Sequence, residues 1–472
     1  MKIDFTIDKK KLKAMAMIGA GAAFLGVAGA NLLARAIVNK FSDRFYNILG
    51  KDLYDENLWE LVSSTMRITP QVAVETNLRA TEPKLLERPM GTPEKFPSLD
   101  SLKFDIAQFH TMPTDTLTEI NTEVTIGKMA VKPFTIRMPI MIAPMAYGIA
   151  LSKEVKLALA RGAKMAGIAA NSGAGPFLSE ERKEAGLLIY QYNRGDWGKT
   201  PEILRNCDAV EIQFGQGGYA GVGHIVKSEL IDRQLRKDFG IPKGKDIVAH
   251  SKQPEVQSPE DLPILVEKLR NITGGVPIGA KIGAGKYLEK DLEYLCSSGI
   301  DFISIDGAEA ASKGSPPIFQ DDFGVPVVFA IHRAAQWIKN NGYADQVSLI
   351  ASGKIRTPGE ILKARALGAD ACCIGSIALF AVSHPQLKKA LPFEPPTTLV
   401  WYNAHYSSDF DIEKGAESLN NFLEACLLEI ADGVRGLGKT SLSQVNREDL
   451  ISIDETVAKG CGIPMAYQPY EF

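Results

Sequence analysis

The stretch from Ile350 to Ser376 constrains the fold of this chain most, because it alternates strand, glycine turn, helix, strand and glycine turn. Its first strand runs into Gly353-Lys354, and its second strand runs into Gly375-Ser376. Glycines at consecutive strand ends leave backbone N–H groups uncovered, and parallel α/β barrels commonly bind phosphate at this place. The stretch therefore predicts a ligand that carries a phosphate group. The alternative is a purely structural role, since single glycine turns also occur in ordinary α/β folds.

The helix inside this stretch carries a complete start signal. Thr357 stands at the N-cap, Pro358 at the first helical position and Glu360 three residues beyond the cap. This is a capping box, in which the two side chains bond the exposed N–H groups of the first turn. The signal predicts where the helix begins and which way its dipole points.

Apolar runs recur along the chain with amphipathic segments between most of them. The strand candidates are Ile140–Ala143, Ile168–Ala170, Leu187–Gln191, Val210–Phe214, Ile278–Ile282, Phe302–Ile305, Val347–Ala351 and Ala371–Ile374. Eight such strands are what a closed parallel barrel requires. The predicted fold class is α/β, a (β/α)8 TIM barrel with an N-terminal transmembrane helix and a C-terminal helical extension.

Composition excludes several function classes. The 472-residue chain has 53 basic and 56 acidic residues and a net charge of −3, which gives no electrostatic reason to expect a nucleic-acid partner. The six cysteines form no CxxC pair, and no cysteine–histidine cluster has metal spacing. We therefore predict no metal site, and we expect the cysteines to be reduced, mostly buried thiols.

The N-terminal region contains a run of 21 uncharged residues, Ala14–Ala34, flanked on both sides by basic residues. This length is sufficient for a helix to cross the ~30 Å hydrocarbon core of a bilayer. The run favours a membrane anchor and a single-pass location in the cell membrane, with no preferred orientation. Two alternatives stay open: a signal peptide cleaved after Ala28-Gly29-Ala30, and a buried helix rich in alanine and glycine.

The predicted domain organisation has four parts. Residues 1–40 form the anchor, 41–138 a helical and extended segment, 139–382 the barrel and 383–472 a helical extension. Within the second part, residues 120–136 alternate like a β-hairpin. The connection from Gly215 to Gln257 is far longer than an ordinary βα loop, so we expect it to build or cover the active site.

Six motifs in collinear order resemble the FMN-binding domain of glutamate synthase. They are APMAYG (Ala143–Gly148), NSGAG (Asn171–Gly175), VEIQFGQGG (Val210–Gly218), AKIG (Ala280–Gly283), SIDGAEAASKGSPP (Ser304–Pro317) and the stretch Ile350–Ser376. The resemblance covers roughly residues 70–465. It is greatest to the short, often membrane-anchored members that lack a glutaminase domain.

The resemblance implies FMN at the carboxyl ends of the barrel strands. The residues it implies for cofactor binding are Ala143, Pro144, Met145, Ala146, Asn171, Ser172, Gln213, Lys281, Asp306, Gly307, Gly353, Lys354, Gly375 and Ser376. Ala143–Ala146 would follow one face of the ring, Gln213 would meet its pyrimidine edge and Asp306-Gly307 would suit the ribityl hydroxyls. The two glycine turns would hold the phosphate.

Lys281 and Gln216 are the candidate catalytic residues. A cation in an otherwise apolar strand is costly unless it faces an anion, and reduced flavin is negatively charged. The alternative for Lys281 is an ion pair with Asp306 on the next strand. Tyr219 and His224 in the long connection are a candidate proton-donor pair, or simply packing residues.

The departures from glutamate synthase bear on function. Basic and acidic side chains expected to hold 2-oxoglutarate and ammonia are replaced by Tyr219, Val222 and Ala174, and residues 380–396 lack the cysteines of an iron–sulfur cluster. We expect an FMN-dependent oxidoreductase at a membrane, with an altered pocket for a small-molecule or lipid-like substrate. The expected reaction is at a CH–NH2 or related group, and the redox partner is not identified by the sequence. A homo-oligomer is compatible with the sequence. The alternative function is a flavin-bearing electron-transfer or structural subunit without substrate turnover.

Overall fold

The computed structural model describes residues 29, 32–51, 53, 58–88, 91–310, 313–389 and 397–469. The chain divides into two compact units at Leu85. The first unit contains helices α1 (residues 32–51), α2 (Leu58–Arg67) and α3 (Pro70–Thr81). The barrel strands all lie in the second unit, inside the predicted range 139–382. The predicted boundaries at residues 40, 138 and 382 stay predictions.

The predicted single-pass membrane location is wrong. In the part of the chain that the structure describes, no helix combines the length and the apolar character that crossing a bilayer requires. Helix α1 carries Arg35, Lys40, Asp43 and Arg44, and each charge is costly inside hydrocarbon. The uncharged run on which the prediction rested lies outside the described residues, apart from residue 29 and residues 32–34.

Strands and helices alternate through the second unit. The strands are β1 (Leu102–Phe104), β2 (Val124–Ile126), β3 (Phe134–Ile136), β4 (Ile140–Ile142), β5 (Ala169–Asn171), β6 (Leu187–Tyr192), β7 (Ala209–Gln213), β8 (His224–Val226), β9 (Ile247–Ala249), β10 (Ile278–Gly283), β11 (Phe302–Asp306), β12 (Ser348–Ser352), β13 (Ala371–Ile374) and β14 (Leu450–Ser452). The helices are α4 (Lys153–Met165), α5 (Ser179–Glu184), α6 (Pro201–Arg205), α7 (Arg233–Phe239), α8 (Asp261–Thr273), α9 (Leu288–Ser297), α10 (Pro317–Asp321), α11 (Val327–Asn340), α12 (Pro358–Ala366), α13 (Ser376–Ser383), α14 (Thr397–Val400), α15 (Ile412–Gly436) and α16 (Glu455–Cys461).

Eight parallel strands form the barrel, in the order β4-β13-β12-β11-β10-β7-β6-β5. Strands β4 and β5 also lie side by side, so the sheet curves back on itself. The predicted TIM-like barrel is confirmed. In the register, Lys281 lies opposite Gln213 on one side and Ser304 on the other. Because all carboxyl ends meet at one rim, polar residues from separate strands gather there.

A hairpin of β2 and β3 closes the opposite, amino-terminal end of the barrel. Its residues Ile126, Phe134 and Ile136 are buried in one cluster with Met141 and Phe302 from the barrel interior. The predicted hairpin over residues 120–136 is therefore present, and it acts as an apolar plug. The plug leaves the carboxyl-terminal rim as the open end.

The long helix α15 completes the outer layer of the barrel. It packs against α4, α12 and α13, which places it between the last helices of the barrel and the first. Gly162 in α4 allows this contact, because a Cβ there would come within 2.8 Å of the Leu419 side chain. The predicted C-terminal helical extension is thus an integral part of the barrel wall.

The connection between β7 and α8 folds into a small lobe of its own. Strands β8 and β9 pair antiparallel, and α7 lies between them in the chain. Leu235, Phe239 and Ile247 from this lobe are buried together with Tyr147 and Trp197 from the barrel loops. The lobe is therefore anchored beside the barrel rim, where the sequence predicted a cover for the active site.

Candidate cofactor and substrate cleft

A cleft of about 460 Å³ opens at the carboxyl ends of the barrel strands. Its volume is in the range of ordinary small-molecule sites. Predicted site residues that line it are Ala143, Pro144, Met145, Ala146, Gln213, Gln216, Lys281, Asp306, Gly353, Lys354, Gly375 and Ser376. The structure thus brings together residues from six different strand ends. Asn171, Ser172 and Gly307 do not line this cleft.

The two predicted glycine turns form one wall of the cleft. Gly353 has φ of 135° and Lys354 has φ of 52°, so both lie in the left-handed region that costs a side chain conformational energy. Strain of this kind often occurs at functional sites. Gly375 is the N-cap residue of α13, and it has no side chain with which to cap the N–H groups of that helix. A Cβ at Gly375 would meet only the Ala143 Cβ, at 3.7 Å.

The predicted capping box is present at the start of α12. Thr357 accepts a hydrogen bond from the Glu360 N–H, and Glu360 accepts one from the N-cap N–H in return. Glu360 also accepts a hydrogen bond from the Arg356 N–H. These bonds fix the turn that follows Gly353-Lys354, and with it the shape of the wall.

Asn171 and Ser172 lie beneath the cleft with their side chains bonded internally. Asn171 donates to Glu211 at 3.1 Å and accepts from the Gly173 N–H at 2.9 Å. The hydroxyl of Ser172 accepts from the Gln191 N–H at 3.0 Å. A Cβ at Gly173 would overlap the backbone of Met145 and Ala146. This loop therefore supports the segment Ala143–Ala146 from below, and the cofactor role predicted for its side chains stays a prediction.

Lys281 forms a buried ion pair with Asp306. Lys281 Nζ lies 2.5 Å from Asp306 Oδ1, and the two side chains are 4% and 6% exposed. Burial opposes the charge on Lys281, but the carboxylates of Asp306 and Glu211 prevail and raise its pKa. Asp306 Oδ2 accepts the Gly217 N–H at 3.0 Å. The ion pair with Asp306, which was the alternative role for Lys281, is thus present, and Lys281 also lines the cleft.

Gln213 and Gln216 are joined by a hydrogen bond. Gln213 Nε2 donates to Gln216 Oε1 at 2.9 Å, and both residues line the cleft. Gln216 also lines a neighbouring cavity of about 530 Å³, as do Asp306 and Gly307. Gly307 lines that second cavity. A Cβ at Gly307 would overlap Val327 at the start of α11. The glycine is required for close packing against this helix.

Glu309 lines the cleft and was missed by sequence reasoning. Its Oε2 accepts the N–H of Val327 at 2.8 Å, whereas its Oε1 is buried and has no hydrogen-bond partner among the described residues. Burial raises the pKa of Glu309 to about 7, despite the opposing effects of its backbone hydrogen bonds and of Lys354. The carboxyl group of Glu309 therefore gains and loses its proton near neutral pH.

Tyr219 and His224 lie side by side in the cleft, which is compatible with a proton-donor pair and with simple packing. Their rings make an edge-to-face contact at 6.1 Å. Burial, together with the charge of Arg194, lowers the pKa of His224, so its imidazole is neutral at pH 7. Arg194 also lines the cleft, and no sequence motif marked it. The only available signal was its position three residues after a predicted strand.

The conserved region of glutamate synthase matches residues 77–440 of this chain. The chain belongs to the glutamate synthase family. This confirms the predicted resemblance at the level of the family, while the membrane-anchored subgroup is not supported.

Three relatives show how much of the chain is shared. A glutamate synthase large subunit-like protein of Rhizobium meliloti is 31% identical, over 80% of this chain and 90% of that protein. An archaeal-type glutamate synthase (NADPH) of Dehalococcoides mccartyi is 31% identical, over 66% of this chain and 62% of that protein. An archaeal glutamate synthase (NADPH) of Methanocaldococcus jannaschii is 30% identical, over 70% and 65%. The chain spans less than two thirds of the latter two proteins.

Solved structures similar to this chain include mandelate oxidases. A variant with (S)-mandelic acid has 18% sequence identity and a TM-score of 0.48, over 74% of this chain and 86% of that one.

Proposed function

We propose that this chain is an FMN-dependent oxidoreductase whose substrate pocket differs from that of glutamate synthases. The observation that carries the proposal is the cleft itself, where two glycine turns and an uncapped helix N-terminus share a wall beside a buried lysine. Membership of the glutamate synthase family supports the same chemistry. When bound, FMN would accept and return electron pairs, which amino-acid side chains alone do not do.

The phosphate end of the cleft fits FMN. Gly375 leaves room for oxygen atoms to approach the backbone, and as the N-cap residue of α13 it has no side chain that could cap the first N–H groups of this helix. Helix N-termini attract anions through these N–H groups and the helix dipole. Lys354 lines the same wall and adds a positive charge.

The centre of the cleft fits the flavin ring. The segment Ala143–Ala146 offers a small-residue surface to one face of the ring, and the amide of Gln213 can bond the pyrimidine edge. Gln216 would orient that amide through its hydrogen bond. The ammonium of Lys281 would stabilise negative charge on the ring, which is the catalytic role we propose for it.

The far side of the cleft holds the groups for proton transfer. His224 is neutral, and its Nε2 is buried without a partner in the described part of the chain, so this atom is available to donate a hydrogen bond to a bound substrate. Tyr219 adjoins it, and burial raises the pKa of its hydroxyl. We propose that the Tyr219 hydroxyl, beside His224, exchanges a proton with the substrate next to the flavin.

The substrate we propose is a small molecule with a CH–NH2 or related oxidisable group. Tyr219, Val222 and Ala174 replace the charged residues expected in glutamate synthases, so we do not propose glutamate formation from glutamine. The electron partner would be a separate protein or small molecule. The activities named for the relatives are not assigned to this chain.

The visible spectrum of the full chain, purified without added cofactor, tests this function. We expect a flavin band and one FMN per chain after release by heat. Gly375→Leu should empty the site, because its side chain would extend into the cleft. Gly436→Leu is the matched control, since a Cβ at Gly436 in α15 meets nothing within 4 Å. Undiminished flavin in Gly375→Leu would contradict the placement, and flavin without turnover of any amine would favour an electron-transfer subunit.

A further inference from the structure

Arg194 is a buried cation without a counter-ion. The residue is 4% exposed and lies two positions beyond the end of strand β6. Among the described residues, no carboxylate lies within ion-pair distance of its guanidinium group, and burial lowers its pKa. An unbalanced buried charge is costly, so an arginine in this state normally meets an anion.

One nitrogen of the guanidinium group has no hydrogen bond among the described residues. Its Nη1 donates to the carbonyls of Gly221 at 2.6 Å and Ser251 at 3.0 Å, and its Nη2 donates to that of Val222 at 3.2 Å. These bonds hold the base of the β8–β9 lobe. Nε is buried and has no partner among the described residues. The orientation of the group is therefore fixed, with its charge uncompensated.

His224 provides a second unused nitrogen on the same cleft. Its Nε2 is buried without a partner in the described part of the chain, and both residues line the cleft. In the Nε2–H tautomer, His224 donates a hydrogen bond from this atom. Two donors and one positive charge together suit a single carboxylate group. A phosphate dianion has more charge and more acceptor oxygens than this pair can satisfy.

This pair lies across the barrel mouth from the phosphate wall. Arg194 follows β6, and the phosphate wall follows β12 and β13. In the closed order of eight strands, β6 is four places from β12 in either direction, which is the opposite side of the barrel. The two anion-binding positions are therefore separate.

We propose that Arg194 and His224 form a second anion subsite, which binds a carboxylate group of the substrate. The inference rests on the proposed function, because it places this carboxylate next to the flavin ring. It narrows the substrate to a small organic acid whose reacting carbon lies between the subsite and the centre of the cleft. Arg194 is then a binding residue, held in place by the lobe that covers the cleft.

Calorimetric titration of the full chain with propionate and its neutral analogue propionamide tests the subsite. We expect propionate to bind at least ten times more tightly than propionamide. Arg194→Gln should abolish this preference, and His224→Phe should weaken propionate binding about tenfold while keeping the ring contact with Tyr219. Arg333→Gln is the matched control, because that arginine pairs with Glu289 outside the cleft.

The outcomes separate this inference from the proposed function. Equal binding of the acid and the amide by the unaltered chain would overturn the subsite, even if the flavin band is present. Inorganic phosphate binding more tightly than propionate would overturn the carboxylate assignment. If Arg194→Gln fails to fold, unchanged propionate binding in His224→Phe would overturn the proposal alone. Absence of flavin with retained acid binding would reject the proposed function and leave the subsite standing.

Discussion

The two ends of the cleft are built in different ways. The phosphate end consists of backbone, since Gly353, Gly375 and the start of α13 offer N–H groups within one strand–helix–strand stretch. The opposite end consists of side chains, because Arg194 and His224 come from separate connections and meet only after the β8–β9 lobe has folded. A site made of local backbone can be recognised in a sequence. A site made of distant side chains requires the fold.

Lys281 lies between these ends, and its replacement should have the largest effect. Lys281→Met leaves Asp306 as an unpaired buried carboxylate, which we expect to cost about 3–5 kcal/mol of unfolding free energy. If Lys281 also serves the flavin, the two-electron reduction potential should fall on the order of 30 mV. Chemical denaturation and redox titration of one preparation measure both quantities.

The matched control is Lys439→Met. Lys439 forms a largely buried ion pair with Asp449, and neither residue lines the cleft. This variant should lose stability with no change in potential. An unchanged potential in Lys281→Met as well would assign Lys281 to structure alone.

Gly353→Ala tests the backbone end. The φ of 135° is costly for alanine, and the new Cβ would lie 3.3 Å from the Gly307 nitrogen. We expect about 1–3 kcal/mol of destabilisation and at least tenfold weaker FMN binding, measured by fluorescence quenching. Propionate binding at the opposite end should persist. Parallel loss of both ligands would show that the two ends are coupled.

Glu309 is a side chain at the backbone end, and its effect should depend on pH. Its pKa is raised to about 7 in the folded chain, from an ordinary value of about 4.5. Between these pH values only the unfolded chain loses the proton, so stability falls as pH rises, by about 3 kcal/mol in total. Glu309→Gln should therefore match the unaltered chain at pH 4 and exceed it at pH 8 in urea denaturation.

Glu184→Gln provides the opposite sign as a control. Its hydrogen bond to Arg161 lowers the pKa of Glu184, so this contribution is present above the ordinary pKa and is lost as pH falls. The variant should be less stable than the unaltered chain at pH 8. If the difference in unfolding free energy between Glu309→Gln and the unaltered chain did not change with pH, the raised pKa of Glu309 would be contradicted.

Tyr219→Phe should have the smallest effect. The hydroxyl lies 3.4 Å from the Gly314 carbonyl oxygen, which is a long hydrogen bond. We expect the unfolding free energy to change by less than about 1 kcal/mol. Tyr343→Phe, outside the cleft lining, is the control. A larger loss in Tyr219→Phe would identify its hydroxyl as a structural group and weaken the proton-transfer role.

Local signals in the sequence were sufficient for the barrel and its phosphate wall. The eight predicted strands shift by one residue at most at their ends, because continuous apolar runs mark buried parallel strands. Thr357 and Glu360 form the predicted capping box, since both partners lie within one turn. The ion pair between Lys281 and Asp306 was one of two roles considered for Lys281. It forms because the two residues lie on neighbouring paired strands.

Other features depended on contacts that the sequence does not display. The pKa of Glu309 follows from burial against α11, and the missing counter-ion of Arg194 follows from the folding of the β8–β9 lobe. Asn171 matched a motif, but its amide is bonded to Glu211 below the cleft. The membrane prediction rested on apolar length alone, and the charges of α1 oppose it.

The position of α15 in the barrel wall has a consequence for synthesis. Helix α4 packs against α15 (Ile412–Gly436), so one face of α4 stays uncovered until the ribosome has synthesised the whole barrel. At ~5–20 residues per second this interval is on the order of tens of seconds. During that time the face around Gly162 is exposed on the nascent chain. We therefore expect chaperones to be needed before α15 emerges from the ribosome. Ribosome-bound chains that end before residue 412 should be cleaved by protease at α4.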